Sequence, residues 1–308
     1  MLFLACRNVC WEFKLRKNAT FVRSILPRRN PAEHVHGTGG GVMKRQLYDL
    51  WLRSRSISQT RECRNLLKDA RYGDNYRRIY FYHIRKTAGS SIIQAFMAAG
   101  GEESGTVYRR LVQQPQHRAI SDKYVYVGWR KYLIEGGLYT FAFSHIPYWD
   151  LELPRDTFRF TIIRDPFKRA FSHYKILVNF SRQEGPMRPN IVPELGWLGK
   201  SMNDFLDKIP QDALLNQLFM FSKEFNVDEA YERICSCEHV MFTEDFDAGL
   251  AQLSAKTGFK LEPNRTRTSR IEEDVDTSAI DRMREMVEPE MRLYQRLRER
   301  FALPAGDS

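Results

Sequence analysis

The stretch RRIYFYHIRKTAGSSIIQAFMAAG, residues 77–100, decides the fold, because it joins three kinds of local structure in one short run. Residues 79–84 are apolar and aromatic, which is typical of a short buried strand. Residues 91–99 favour a helix whose apolar positions share one face: Ile92, Ile93, Phe96 and Met97. Between the two lies a turn of small side chains with two cations, Arg85 and Lys86. The stretch therefore predicts a strand, a tight turn and a helix N-terminus.

The turn and the helix start together predict an anion site. The first backbone N–H groups of a helix have no partner within it, and the helix dipole favours negative charge there. Lys86 adds a full charge, and the hydroxyl groups of Thr87, Ser90 and Ser91 add donors. The lysine precedes Gly89, whereas in the G-x-x-x-x-G-K-[ST] loop that binds nucleoside triphosphates it follows the glycines. We expect a phosphate or a similar group here, and a triphosphate site of that type is disfavoured.

A second stretch, TIIRDPFKRAFSHYK at residues 161–175, repeats the pattern of an anion-binding group at the end of a strand. Arg164 and Asp165 end a predicted buried strand, and Ser172 lies about two turns into the next helix. In α/β proteins the carboxyl edge of the sheet faces the ligand crevice. A guanidinium can fork onto a phosphate, and a serine hydroxyl can add a second bond. Two such elements indicate one ligand with two separated anionic groups, although an Arg164–Asp165 pair that only ends the strand is the simpler alternative.

Strands alternate with helices along the rest of the chain. Further predicted strands cover residues 123–128, 138–146, 158–166 and 239–246. Pro166 suits the first position of a predicted helix over residues 167–180, residues 181–200 read as a long surface loop, and residues 277–301 as a charged helix. This alternation predicts an α/β fold, a parallel sheet flanked by helices, in a single domain over residues 76–308.

The net charge of +10 belongs to the N-terminal part of the chain. Residues 1–78 hold 17 Lys and Arg against 6 Asp and Glu, whereas residues 79–308 hold 31 against 32. A domain that binds nucleic acid is expected to carry its own basic surface, so no nucleic-acid partner is predicted.

Residues 1–42 differ from the rest in composition, being rich in arginine and ending in HVHGTGGGV. They are interpreted as a disordered or artefactual leader that precedes a start at Met43, or as a targeting signal. Residues 43–75 form a basic lead-in segment. No apolar run is long enough to cross a bilayer, so no transmembrane segment is predicted. A cytoplasmic location is expected, with the Golgi lumen or an organelle as the alternative if the leader is a signal.

The five cysteines, at positions 6, 10, 63, 235 and 237, show neither a disulfide framework nor a metal-binding spacing. Cys235 and Cys237 have one residue between them, whereas zinc sites commonly have two. Free thiols in a reducing compartment and no metal site are therefore expected.

The segments FYHIRKTAGSSI and IIRDPFKRAFSHY resemble the 5′-phosphosulfate loop and the 3′-phosphate element of sulfotransferases. The resemblance covers about residues 76–300 and is strongest to bacterial and Golgi carbohydrate sulfotransferases of the 2-O-sulfotransferase type. It implies a P-loop-like sulfotransferase domain that uses 3′-phosphoadenosine 5′-phosphosulfate (PAPS) as donor. It also implies a hydroxyl acceptor, expected to be a carbohydrate, and no metal.

The resemblance assigns roles to individual residues. Lys86 would contact the bridging oxygen and the sulfuryl group. Arg164 and Ser172 would hold the 3′-phosphate. The loop that would hold the 5′-phosphate runs through Arg85, Lys86, Thr87, Ala88, Gly89, Ser90 and Ser91. The family often has proline where this chain has Arg85, which adds charge and loosens the turn.

The acceptor hydroxyl needs a base, and the resemblance points to His145 in FAFSHIPY. An imidazole with an ordinary pKa near 6.5 suits proton removal near neutral pH. His173, beside Ser172, is a weaker rival, and His83 is interpreted as structural.

Two later segments match the family more loosely. LLNQLFMF, residues 214–221, offers Asn216 and Gln217 as polar contacts to the acceptor, or else as amides that are satisfied in the core. EPNRTRTSR, residues 262–270, resembles a loop that covers the nucleotide, with Asn264 and Arg265 as candidate donor contacts.

The sequence thus predicts an enzyme that transfers a sulfuryl group from PAPS to a hydroxyl, by in-line displacement with a histidine base. Two alternatives stay open at this point. One is a P-loop-like kinase, for which Asp165 is the candidate to hold magnesium. The other is a catalytically silent protein that binds a nucleotide.

Overall fold

The structure is a computed structural model that describes residues 59–73, 75–114, 116–182, 192–263 and 276–301. The chain divides into two units, Met1–Gln59 and Thr60–Ser308, and the described residues after Gln59 all belong to the second. The division falls inside the basic lead-in segment. The leader and the candidate residues Asn264 and Arg265 lie outside the described residues.

Six strands form one sheet: β1 (Arg78–Tyr82), β2 (Arg118–Ile120), β3 (Val125–Gly128), β4 (Phe141–Ser144), β5 (Thr157–Ile163) and β6 (His239–Phe242). Their order across the sheet is β2-β3-β4-β1-β5-β6. All neighbours run parallel except β2, which pairs antiparallel with β3 at one edge. The predicted α/β fold with a parallel sheet flanked by helices is confirmed.

The helices that follow β1 are, in chain order, α1 (Gly89–Ala98), α2 (Ser104–Gln113), α3 (Lys131–Glu135), α4 (Pro166–Ser181), α5 (Val192–Leu195), α6 (Met202–Lys208), α7 (Gln211–Leu214), α8 (Asn216–Phe221), α9 (Val227–Cys235), α10 (Phe246–Thr257), α11 (Thr277–Met286) and α12 (Glu288–Arg300). A 3₁₀ turn follows β4 at Tyr148–Asp150. In the described part of the chain, none of these helices has the length and hydrophobicity that a bilayer crossing requires.

The central strand β1 is buried on both faces of the sheet. Ile79 and Phe81 belong to the core on one face, and Tyr80 and Tyr82 to the core on the other, as the two-residue period of a strand requires. The first core includes side chains of α1, α2 and α10, and the second includes side chains of α4, α6, α8, α9, α11 and α12. Helices on both faces explain why β1, β4 and β5 read as continuous apolar runs in the sequence.

Two local expectations were wrong. Part of the predicted surface loop is the short helix α5, and its Glu194 is buried. The predicted helix over residues 277–301 is two helices that meet at Val287. Pro289, at the start of α12, has no N–H with which to continue the hydrogen bonds of α11, so the helix restarts there.

Because β4, β1 and β5 are parallel neighbours, their carboxyl ends lie side by side at one edge of the sheet. His145 directly follows β4, and the predicted anion loop follows β1 after His83. Arg164 directly follows β5. The topology therefore places at one edge three elements that are far apart in the sequence.

Candidate active site

The loop from β1 to α1 has a left-handed backbone at two non-glycine residues, with φ of 70° at Lys86 and 60° at Ala88. The Thr87 hydroxyl, fully buried, donates to the Ile84 carbonyl oxygen at 3.0 Å and so holds the turn from inside. Ala88 is the N-cap residue of α1 and gives no side-chain hydrogen bond to the first helical N–H groups. The start of α1 therefore presents backbone donors that an anion can bind, beside a half-buried Lys86. The Thr87 hydroxyl, which the sequence suggested as a donor to the anion, is instead engaged within the turn.

Gly89 lets the end of β1 approach the start of α1 closely. A Cβ at this position would lie 2.9 Å from Cε1 of His83, and closer still to Nε2 and Cδ2 of the same ring. The requirement for glycine thus comes from the His83 imidazole and not from a left-handed backbone, which Gly89 does not have.

His83 and His145 are in ring contact at the edge of the sheet, with their planes tilted by 37°. Their ring centroids are 4.4 Å apart, and Nδ1 of His145 lies 2.5 Å from the carbonyl oxygen of His83. A carbonyl oxygen can only accept, so Nδ1 of His145 carries the proton and Nε2 has the lone pair. This is the tautomer that a general base needs.

Burial, assisted by the positive charge of Arg85, lowers the pKa of His145 to about 4. The sequence-based expectation of an ordinary imidazole pKa is therefore wrong, because both effects disfavour the charged ring. His145 is neutral at pH 7 and can accept a proton. Burial, with the neighbouring His145 and Arg85, likewise lowers the pKa of His83 well below its ordinary value.

Arg164 connects the second anion element to the first. Its Nη1 donates to the carbonyl oxygen of Lys86 at 3.0 Å. Gln217 holds the backbone of Arg164 on both sides: its Oε1 accepts from the Arg164 N–H at 2.8 Å, and its Nε2 donates to the Arg164 carbonyl oxygen at 2.9 Å. Next to it in α8, Oδ1 of Asn216 accepts from the Arg85 N–H at 3.2 Å. The two amides proposed as acceptor contacts thus bind the backbones of the two anion elements.

A buried ion pair lies behind α8. Oε1 of Glu290 accepts from the N–H groups of Gln217 and Leu218, at 2.6 and 3.1 Å, at the start of that helix. Glu290 also pairs with Arg169, Nε to Oε2 at 3.4 Å, and both side chains are fully buried. Loss of one partner from a buried pair leaves the other charge unsatisfied, which costs about 3–5 kcal/mol. The position of Gln217, and with it that of Arg164, is therefore strongly determined.

Glu194 links the loop after β1 to α4. It accepts a hydrogen bond from Nη1 of Arg85 and lies 2.9 Å, Oε2 to Nε2, from His173. Burial opposes ionisation of Glu194, but the hydrogen bonds from His173 and Arg85 outweigh it and lower the pKa of the carboxyl group. Arg85 is therefore directed towards Glu194. His173 is buried, and its Nε2 is engaged with the Glu194 carboxylate.

The remaining candidate residues within the described ranges differ in exposure. Ala88 is exposed on the loop, Ser90 is exposed and Ser91 half-buried in the first turn of α1, and Ser172 is half-buried in α4. Asp165 caps α4, since its Oδ1 accepts from the Lys168 N–H at 2.8 Å. The structure thus brings together Lys86, Arg164 and the loop after β1, next to His145.

Sequence reasoning missed two residues that hold the candidate site in place, Glu194 and Glu290. Their partners Arg85 and Gln217 are 109 and 73 residues away in the chain. No local pattern signals a pairing over such distances, and a single glutamate in a polar segment has no distinctive spacing.

The candidate site lies in an α/β protein and combines the loop before α1, a histidine and an arginine at the carboxyl edge of the sheet. No protein-family model matches the chain, and no curated protein matches it. One solved structure that does match is a sulfotransferase from Alicyclobacillus acidocaldarius, with 12% sequence identity over 71% of this chain and 94% of that one. Its TM-score is 0.34, so the likeness is too distant to assign a function.

Proposed function

We propose that this protein is a PAPS-dependent sulfotransferase that transfers a sulfuryl group to a hydroxyl. One observation carries the proposal. Three elements for which the sequence predicts donor binding or base catalysis meet at one edge of the sheet. There Arg164 donates to the Lys86 carbonyl oxygen, and Nδ1 of His145 donates to the His83 carbonyl oxygen. A ligand with anionic groups at two ends matches two neighbouring anion elements.

The donor would lie across β1 and β5. The backbone N–H groups from Thr87 to Ser91 would hold the 5′-phosphate, and Arg164 with Ser172 would hold the 3′-phosphate. Asn264 and Arg265 stay proposed as parts of the loop that covers the nucleotide. Lys86 would lie at the oxygen that bridges phosphorus and sulfur.

The reaction would be an in-line displacement at sulfur. Nε2 of His145 takes the proton of the acceptor hydroxyl while the acceptor oxygen forms a bond to sulfur. The bond from sulfur to the bridging oxygen breaks, and its electron pair stays on the phosphate of the leaving nucleotide, 3′-phosphoadenosine 5′-phosphate (PAP). Lys86 and the loop N–H groups stabilise this developing charge, as donors do in phosphoryl transfer. The mechanism uses no metal.

The acceptor is proposed to be a glycan hydroxyl, on the resemblance of both motifs to carbohydrate sulfotransferases of the 2-O type. The proposed location is the cytoplasm, or the Golgi lumen or an organelle if the leader is a signal. Of the two alternatives, a kinase that uses Asp165 to hold magnesium has less support, because that carboxylate caps α4. A silent nucleotide-binding protein, in which His145 is only satisfied by the backbone, is the other alternative, and activity of the wild type and His145→Ala separates the two.

The donor is tested by thermal melting with PAP and with ATP at equal concentrations. A ligand that binds the folded state raises Tm through linkage. We expect a clear rise with PAP and a much smaller one with ATP, which lacks the 3′-phosphate. Equal shifts with both nucleotides would overturn the role given to Arg164 and Ser172.

A further inference from the structure

The strand order determines from which side an acceptor reaches His145. The proposed donor-binding elements follow β1 and β5. His145 follows β4, and β4 lies between β1 and β3 in the sheet. In an in-line displacement the attacking and leaving oxygens lie on opposite sides of sulfur. The leaving oxygen is proposed to lie at Lys86, after β1. We therefore expect the acceptor on the opposite side of His145, towards β3.

The residue that follows β3 is Trp129. Gly128, the last residue of β3, is in register with Phe143 of β4, and the Trp129 N–H donates to the Phe143 carbonyl oxygen at 3.2 Å. The Trp129 ring lies 5.1 Å from the Phe143 ring, which is 6.4 Å from the His83 ring, and the His83 ring in turn contacts that of His145 at 4.4 Å. Three ring contacts thus connect Trp129 to the proposed base.

Two further rings, those of Tyr108 and His117, contact Trp129. We call these three residues the aromatic patch. The His117 and Tyr108 centroids lie 5.3 and 6.4 Å from that of Trp129, with interplanar angles of 81° and 78°. Tyr108 is 37% exposed, and the other two rings are half-buried. Large aromatic rings at the surface beside a catalytic edge present apolar faces with polar tips, which suits a ring-shaped ligand.

The backbone and polar atoms of the patch are also unusual. His117 and Trp129 have left-handed φ angles of 49° and 56°, a conformation that concentrates at functional sites. Nδ1 of His117 and Oε1 of the adjacent Gln116 are buried without a hydrogen-bond partner in the part of the chain that the structure describes. Oε1 of Gln116 can only accept, whereas Nδ1 of His117 donates or accepts according to its tautomer.

Positive charge lies next to the patch. Arg109 follows Tyr108 in α2, Arg130 follows Trp129, and both side chains are exposed. Burial, together with the charge of Arg130, lowers the pKa of His117. A guanidinium matches a carboxylate or a sulfate in shape and charge.

We propose that Tyr108, His117 and Trp129 form the acceptor subsite, which binds the face of a sugar ring next to the hydroxyl that is sulfated, while Arg130 selects acceptors with a neighbouring anionic group. This inference rests on the proposed sulfotransferase function.

The test uses the full chain, labelled PAPS and two acceptors: a uronic-acid oligosaccharide and its carboxyl-reduced counterpart. Trp129→Ala should raise KM for the oligosaccharide by about tenfold, with the KM for PAPS unchanged, because a buried aromatic anchor carries much of the binding energy at an interface. Trp129→Phe should restore most of the affinity. Arg130→Gln should raise KM for the acidic oligosaccharide but not for the carboxyl-reduced one.

Tyr108→Ala guards against loss of folding, because its side chain is exposed, and it should also raise the acceptor KM. Tyr231→Ala is the matched control, an aromatic residue that stacks on Arg296 on the far helices α9 and α12. If the wild type transfers sulfate but Trp129→Ala and Tyr108→Ala keep the acceptor KM, the subsite is wrong and the proposed function stands. If the wild type transfers sulfate to neither oligosaccharide but does so to a small phenol, the sugar assignment is wrong. If the wild type transfers sulfate to no acceptor and PAP does not stabilise it, the proposed function fails.

Discussion

Replacement of Gly89 by alanine is the sharpest test of the packing at the site. The new Cβ would lie within 2.9 Å of three atoms of the His83 ring, closer than Cβ contacts in proteins come. The ring cannot easily turn away, since Phe81 stacks on it at 5.1 Å and the tilted ring of His145 contacts it at 4.4 Å. Either the imidazole or the start of α1 must shift.

Such overpacking destabilises a protein by about 1–3 kcal/mol. For a domain of this size each kcal/mol lowers Tm by about 2–4 °C. The cost in turnover should be larger, because the His83 carbonyl oxygen holds Nδ1 of His145 and the same helix start is proposed to bind the donor. Thermal melting and steady-state turnover measure the two effects separately.

The control for this prediction is Gly249→Ala in α10, where a Cβ would meet only the side chain of Met241, at 3.1 Å or more. A second test is the pair of changes His83→Ala and Gly89→Ala. With the imidazole removed, Gly89→Ala should cost little further stability, so that the double-mutant cycle gives a clear coupling energy. If Gly89→Ala alone leaves both Tm and turnover unchanged, the reasoning about His83 is refuted.

Three further predictions concern the titratable groups of the site. Lys86→Ala should lower turnover on the order of 10²-fold with little loss of Tm, because it removes a charge that acts on the transition state, and a near-native rate would make the loop merely structural. Glu194→Gln should destabilise the protein at about pH 7 by about 1–3 kcal/mol. Because folding lowers the pKa of Glu194, the ionised carboxylate stabilises the protein above the unfolded pKa, and this stabilisation is lost as pH falls through the lower folded pKa. Urea unfolding in which the free energies of wild type and Glu194→Gln do not converge in acid would contradict the assignment. His145→Ala should lose most activity yet bind PAP with near-native affinity. In the wild type kcat/KM should fall near pH 4, where His145 becomes protonated. A fall of kcat/KM near pH 6.5, or an acid limb of the pH profile that survives in His145→Ala, would count against this base.

Several features of the fold were predictable because they are written in local sequence. The strand and helix around residues 77–100 appear as β1 and α1, and Pro166 begins α4 as expected, with Asp165 as its cap. The gathering of His145, Lys86 and Arg164 at one edge follows from parallel strands, which the alternation of elements predicted. Nothing local, however, signals the strand order, which puts β4 between β3 and β1.

Other features of the site were beyond sequence reasoning because they depend on contacts between distant residues. Gly89 was interpreted as part of an anion loop, whereas its close contact with His83 depends on how β1 meets α1. The pKa of His145 depends on burial and on Arg85, neither of which is visible in FAFSHIPY. Gln217 binds the backbone of Arg164 only because Glu290, from the last helix, fixes the start of α8.

The central claim is tested most directly by transfer of labelled sulfate from PAPS to hydroxyl acceptors, measured for the wild type, Lys86→Ala and His145→Ala. Lys208→Ala, an exposed lysine at the end of α6, is the control for loss of a positive charge. The account predicts label in the acceptor and an equal amount of PAP with the wild type and with Lys208→Ala, and losses on the order of 10²-fold with the other two variants. Absence of transfer to glycan, lipid and phenol acceptors by a folded wild type that binds PAP, or undiminished transfer by both Lys86→Ala and His145→Ala, would contradict it.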